Sequence, residues 1–279
     1  MKKVTSFFSP FLAILWISLF PFEVFSQNGS WKRVEEGLSW VEFDSTNKVL
    51  GIDSKISVVK IDPRFYSFKL FCASEHGKTS LTVKDWCKTQ GLMSGINAGM
   101  YQEDGFRNVG YMKNFEHINN PRLNNAYKAV LAFNRSDPGV PEIQIIDLKC
   151  QDFDKLKSKY QTFAQNIRMI SCRQENVWAK QEKMWSMAVF GMDKSGNALF
   201  IFSEAPYSGY DFVNLLLSLP LSIYNAMYLE GGTEASLYFS GKGIELERVG
   251  VFATSLKENS ARVAARPIPN AIGITKKPR

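Results

Sequence analysis

Met187-Ala188-Val189-Phe190-Gly191-Met192-Asp193-Lys194-Ser195-Gly196-Asn197-Ala198-Leu199-Phe200-Ile201-Phe202 contains two short apolar runs around a five-residue polar turn. Runs this short, rich in Val, Ile and Phe and joined through Asp, Ser, Gly and Asn, read as two paired antiparallel strands. Working outward, residues 56–61, 65–71, 129–133 and 143–148 repeat the strand-like pattern. Three helices are expected between them. The first spans 81–90, opened by Thr79 or Ser80 and closed by Gly91, and the third spans 211–219, ended by Pro220. The second is expected over 152–165, because Phe153, Leu156, Tyr160, Phe163 and Ile167 step by three and four, as one buried helical face does. Helices scattered irregularly among hairpins predict an α+β fold: mixed or antiparallel sheets with a few packed helices, in a single domain.

The N-terminus reads as a separate segment. Met1-Lys2-Lys3 precedes an apolar stretch that ends at Val24-Phe25-Ser26, before the polar Gln27-Asn28-Gly29. A basic start, an apolar middle and a small residue at the edge predict a signal peptide over 1–26 and a mature domain over 27–279. Pro10, Pro21 and Glu23 interrupt the stretch and argue against a retained anchor. No second apolar run of comparable length follows, so no stable membrane insertion is expected after cleavage, and the mature chain is periplasmic or secreted. An exported chain permits disulfides, and its four cysteines are expected to pair locally, Cys72 with Cys87 and Cys150 with Cys172.

The whole chain carries 34 Lys and Arg against 27 Asp and Glu, a formal charge of +7 that suits anionic partners. Its basic residues are spread too evenly to mark a nucleic-acid stripe. With His76 and His117 as the only histidines, multi-histidine zinc catalysis is excluded. Gly77-Lys78-Thr79 imitates the end of a phosphate-binding loop, but Cys72 stands where its first glycine is required. Gly241-Lys242-Gly243 lacks the third glycine of a dinucleotide fingerprint, and no GxSxG elbow exists. Two segments instead crowd glycine, amides and carboxylates: Ile96-Asn97-Ala98-Gly99-Met100 with its continuation to Tyr111, and Met227-Tyr228-Leu229-Glu230-Gly231-Gly232-Thr233-Glu234-Ala235-Ser236. In each, an apolar lead-in meets glycine where backbone N–H groups can face a ligand.

Together with Cys72-Ala73-Ser74-Glu75-His76-Gly77, Val109-Gly110-Tyr111-Met112-Lys113-Asn114, Asn119-Asn120-Pro121-Arg122, Ile167-Arg168-Met169 and Arg266-Pro267-Ile268-Pro269-Asn270, these segments resemble the phosphodiester glycosidase family, specifically its exported bacterial branch. The resemblance spans about residues 70–274. It implies hydrolysis of a sugar from a glycosyl-1-phosphodiester. Here Ala98 stands for a glycine of the family pattern, Glu230 for an aspartate, and Thr233-Glu234 follow the paired glycines. The extra methylene of Glu230 moves its carboxylate by roughly 1 Å, a shift worth about 10²-fold in rate at a reacting centre.

Departure of a phosphate needs little help from an acid, unlike the alkoxide of an ordinary glycosidase, so one carboxylate with cationic and N–H donors suffices. Glu230 is the expected catalytic carboxylate, with Glu234 and Asp104 as competitors. Substrate contacts are expected from Asn97, Gly99, Asn114, Gly231, Gly232 and His76, with Arg107, Arg122 and Arg168 as phosphate clamps. No cofactor is certain from the sequence. A divalent cation could sit among the carboxylates and amides near Glu103-Asp104 and Glu230, although no ligand spacing compels it. The expected partner is a phosphorylated glycan or sugar-1-phosphodiester of the envelope or exopolysaccharide. The rival reading is a non-catalytic envelope protein that binds anionic glycans during polysaccharide assembly.

Overall fold

The structure, a computed structural model, describes residues 1, 29–45, 54–252 and 264–278, so the expected leader falls, but for Met1, outside the described residues. The opening hairpin is present: β11 (Trp185–Asp193) pairs with β12 (Ala198–Tyr207), Met192 lying opposite Ala198. Asp193 makes the turn, its carboxylate accepting from the Ser195 and Asn197 N–H groups at 2.8 and 2.9 Å. Both strands are buried on both faces, which is why they read as continuous apolar runs rather than alternating ones.

Around this hairpin, β1 (Lys32–Glu35), β2 (Leu38–Asp44), β3 (Lys55–Ile61), β13 (Ile223–Gly231), β10 (Tyr160–Ile170), β6 (Met112–Asn114) and β7 (His117–Asn120) form one sheet in the order β1-β2-β3-β12-β11-β13-β10-β6-β7. Strands β8 (Ala129–Arg135) and β9 (Ile143–Asp147) join it through β10, giving 11 strands. A 5-stranded sheet runs β15 (Ile244–Val249), β14 (Ser236–Gly241), β5 (Ser94–Asn97), β16 (Asn270–Lys276) and β4 (Tyr66–Cys72). Every strand pairing in both sheets is antiparallel.

The chain is therefore mostly β, and the α+β expectation is corrected. Three α-helices occur among the described residues: α1 (Val83–Gln90), α2 (Phe153–Lys157) and α3 (Gly209–Ser218). Helix α1 is capped by Thr82, not by Thr79 or Ser80, and Gly91 ends it with φ 63°, the left-handed turn expected there. Helix α3 starts two residues before the expected position, at an Ser208 cap. The largest departure is over 152–165. Asp152 does cap a helix, but α2 stops at Lys157, and the chain turns at Ser158-Lys159 into β10. The step of three and four arose because Phe153 on α2 and Tyr160 and Phe163 on β10 meet in one cluster with Tyr111, Val130 and Ile146. Two elements returning to the same core imitate one helical face.

The molecule is layered. Between the sheets lies a core to which Val59, Phe190, Phe200 and Leu229 contribute from the large sheet and Phe68, Leu70, Phe239 and Ile272 from the small one. Phe68 is its hub, edge-on to Phe133, Phe190 and Phe200 at centroid distances of 6.3, 6.4 and 6.3 Å. Helix α3 covers the outer face of the large sheet through Phe212, Val213 and Leu216, and α1 covers the small sheet through Val83, Trp86 and Cys87. No helix among the described residues is long and apolar enough to cross a membrane.

This layering decides the cysteine pairing. Cys150 and Cys172 form a disulfide, whereas Cys72 and Cys87 are free and buried. The expected Cys72–Cys87 bond fails because the thiols lie on opposite faces of the small sheet: Cys72 in the core between the sheets, Cys87 under α1. Alkylating the unreduced, denatured chain should label Cys72 and Cys87 alone and leave a 150–172 cross-linked peptide in the mass spectrum. Replacing Cys150 and Cys172 together with serine should lower unfolding stability by about 3 kcal/mol, read by denaturant titration.

Candidate active site

The two glycine-rich segments meet where the chain passes from one sheet to the other. Strand β13 of the large sheet ends at Gly231, a single 3₁₀ turn spans Gly232–Glu234, and β14 of the small sheet begins at Ser236. Asn97, on β5, closes this crossing. Its Nδ2 donates to the Glu234 carbonyl at 2.9 Å and its Oδ1 accepts from the Ser236 N–H at 2.7 Å. At 1% exposure, Asn97 uses its amide to hold the turn that carries Glu234, and it does not face open solvent.

Glu230 stands at the end of β13, opposite Ala188. Its side chain keeps a little surface, but its carboxyl is enclosed, and burial pushes its pKa up to about 8. The Gly231 N–H, 3.0 Å from Oε1, pulls in the other direction, and the neighbouring Glu234 adds a further push upward. Glu234 is placed differently: Arg266 Nη1 lies 2.8 Å from its Oε1, and the Thr233 hydroxyl donates to its Oε2 at 3.0 Å. The two carboxyls thus occupy contrasting environments, one enclosed and one paired with a cation, the division that separates acid from base in carboxylate catalysis.

Aromatic side chains wall this pair. The hydroxyls of Tyr101, Tyr127 and Tyr228 are all pushed above the ordinary tyrosine range, first by burial and then by the charge of Glu230 or Glu234. Trp178 stacks obliquely on Tyr228 at 5.6 Å. Glycine is required at both positions after Glu230: a Cβ on Gly231 would lie 2.2 Å from Trp185 and from the Tyr228 hydroxyl, and one on Gly232, which has φ +64°, would lie 2.2 Å from the Phe252 ring. At Gly209 a Cβ would lie 1.8 Å from Trp178, so the first residue of α3 is a seat for that indole.

The other expected residues distribute as follows. Arg107 and Arg122 line one cavity of about 400 Å³ with Gln102, Asn120 and Asn124. Asp104 is engaged within its own loop, held down to about 2 by the Arg107 and Phe106 N–H groups and by the Arg107 guanidinium. Arg168 lines a different cavity, also about 400 Å³, with Lys128, Trp178 and Lys180, so the three arginines do not converge on one point. Its Nη1 contacts both oxygens of buried Asp147 at 2.8 and 2.9 Å, and Asp147 also accepts from the Cys172 N–H at 3.0 Å. Gly99 is packed against the Asn108 and Asn166 amides. Asn114 donates to Glu75 at 2.9 Å, and exposed His76 lies beside Phe71 and Trp86.

Sequence reasoning passed over Tyr101, Tyr127 and Tyr228 as site residues, and Arg266 as the partner of Glu234. Tyr101, Tyr228 and Arg266 lie within the segments that carry the family resemblance, but nothing in the spacing links Tyr127 to Glu230. Replacing Asn97 with alanine leaves the buried Ser236 N–H without its partner and the Glu234 carbonyl with only a long contact to the Ser236 hydroxyl at 3.4 Å. Loss of about 2 to 4 kcal/mol of unfolding stability is expected by denaturant titration, since each orphaned buried group costs roughly 1 to 3 kcal/mol.

The fold has solved counterparts. It superposes on a hypothetical protein from Synechocystis with a TM-score of 0.62 at 13% identity, covering 90% of this chain and 64% of that one. The chain thus spans less than two thirds of the Synechocystis protein. It also superposes on the catalytic domain of zebrafish N-acetylglucosamine-1-phosphodiester alpha-N-acetylglucosaminidase, auto-inhibited by its pro-peptide, with a TM-score of 0.61 at 12% identity, covering 90% of this chain and 88% of that one. Sequence comparison with curated proteins finds no match. The family model for phosphodiester glycosidase matches residues 90–275, a stretch that takes in β5 with Asn97, the whole Glu230 to Ser236 crossing and Arg266, and the chain belongs to the phosphodiester glycosidase family.

Proposed function

We propose that this chain is an exported hydrolase that cleaves a sugar from a glycosyl-1-phosphodiester in envelope or exopolysaccharide glycans. The observation that carries the reading is the pairing of an enclosed Glu230, with a pKa near 8, with a Glu234 bound to Arg266. At neutral pH Glu230 is a carboxylic acid. It therefore admits a phosphodiester anion without carboxylate repulsion and can give its proton to the departing phosphate oxygen. Glu234 orients a water on the anomeric carbon and takes its proton. The carbon–oxygen bond to phosphate breaks as the bond to water forms, and the net reaction consumes one water. Tyr101 and Tyr127 supply hydroxyl donors, and the Trp178 and Trp185 rings supply apolar surface for a sugar. Arg107 and Arg168 are already paired with Asp104 and Asp147, so the cationic ground for phosphate and for the glycan beyond it comes from Arg122 in the first cavity and from Lys128 and Lys180 in the second.

The reading is tested with a panel of sugar-1-phosphodiesters and an assay for free reducing sugar. Glu230→Gln should lower kcat by about 10²-fold, the low end of what a positioned acid contributes, because a phosphate needs little protonation to depart. Glu230→Asp, which withdraws the carboxyl by roughly 1 Å, should lower kcat/KM by about 10²-fold. Glycan binding with no turnover of any substrate, indifferent to Glu230→Gln, would favour the non-catalytic reading.

The pH dependence has a fixed sign. Glu230 must hold its proton to act as the acid, so kcat/KM should fall as pH rises through about 8. Glu230→Gln should lack that limb; a rate that climbs through the same range would make Glu230 a base. Stability follows the same group. Because its folded pKa lies above the ordinary carboxylate value, the native state is favoured most at low pH and loses that contribution between about 4.5 and 8, which Glu230→Gln should abolish in thermal melts.

A further inference from the structure

Three unlike donors converge where β4 ends, in a cluster that shares no residue with the Glu230 and Glu234 site. Cys72 Sγ, a Glu75 carboxylate oxygen and a His117 ring nitrogen all lie within 4.8 Å of one another. Cys72 closes β4 of the small sheet, Glu75 follows in the turn, and His117 opens β7 of the large sheet. The sulfur is fully buried, with Met112 Sδ 3.7 Å from it, while His117 is partly and Glu75 freely exposed. The cluster thus has a buried sulfur floor and an open polar rim.

We infer that Cys72, Glu75 and His117 form a zinc site with an open fourth position. The donor set is one of thiolate, imidazole and carboxylate, which suits Zn²⁺ and not the all-oxygen preference of Mg²⁺ or Ca²⁺. Thiolate and carboxylate together balance the charge of a divalent ion. On binding, the Cys72 S–H bond gives way to a sulfur–zinc bond and its proton passes to solvent. No protein cation pairs with Glu75 among the described residues, so its charge is available.

Two of the ligands are already oriented by neighbours of the kind that accompanies metal-bound side chains. Asn114 Nδ2 donates to Glu75 Oε2 at 2.9 Å. Ser74 Oγ, held by Asn119 Nδ2 at 2.9 Å, lies 2.9 Å from His117 Nε2 and can accept the N–H that an imidazole carries on the nitrogen it does not give to a metal. An ion here would bridge the two sheets at their rim.

The test uses the purified chain, stripped of metal and titrated with Zn²⁺ by calorimetry and with Co²⁺ as a spectroscopic substitute. One ion per chain is expected, with a thiolate-to-cobalt charge-transfer band and visible bands of a tetrahedral ion. Cys72→Ser should abolish the charge-transfer band and Cys87→Ser should leave it intact. His117→Ala and Glu75→Gln, at positions that are not buried, should weaken Zn²⁺ binding by at least tenfold, and Asn114→Ala by roughly 10 to 100-fold if it orients Glu75 as proposed. Absence of stoichiometric binding, a cobalt spectrum without the thiolate band, undiminished affinity in His117→Ala, or binding of Cu⁺ to the exclusion of Zn²⁺ would each overturn the assignment. None of these outcomes bears on glycosidase activity, so the two readings fail separately.

Discussion

The buried amide of Asn97 is the contact on which the candidate site depends. The chain must leave the large sheet after Glu230 and enter the small sheet at Ser236 within a few residues, and a crossing that short leaves backbone groups without strand partners. Asn97 supplies both missing partners from a single side chain. Because it sits on β5, which pairs with β14 and β16, the turn bearing Glu234 is fixed relative to the small sheet while Glu230 is fixed to the large one. The spacing between the two carboxyls is then set by how the sheets pack, and that packing rests on the Phe68 cluster.

The electrostatics of the pair follow from this placement. Glu230 is enclosed between the end of β13 and the surrounding aromatic rings, where a negative charge loses its hydration. One N–H, from Gly231, is too little compensation, so the neutral form is favoured. Glu234 lies one short turn further, within reach of Arg266. A difference of four residues in sequence thus becomes a difference of chemical character. The glycines between them are there for the rings: Trp185, Tyr228 and Phe252 occupy the space that side chains at Gly231 and Gly232 would fill.

Local features were legible in the sequence and long-range ones were not. The Met187 to Phe202 hairpin could be read because its turn is built by its own residues, Asp193 and Asn197. The β10 strand could not, because its apolar residues share a cluster with α2 and so carry a helical spacing. Cys150 and Cys172 were paired correctly, whereas Cys72 and Cys87, closer in sequence, are separated by a sheet that spacing does not reveal. The two segments around Asn97 and Glu230 were recognised through their crowding of amides and glycines, but the part each residue plays was not evident. Asn97 and the Gly231 N–H looked free for a ligand, and instead they satisfy the chain itself.

The indole of Trp178 rests where Gly209 has no side chain, at the start of the helix that covers the outer face of the large sheet, and its other side meets Tyr228 near the carboxyl pair. Helix and pocket wall are therefore one mechanical unit. Repacking Phe212, Val213 or Leu216 would tilt the first turn of α3 and carry the indole with it, so the wall beside Glu230 and Glu234 can be reshaped by substitutions in a buried helix that leave the wall residues themselves unchanged.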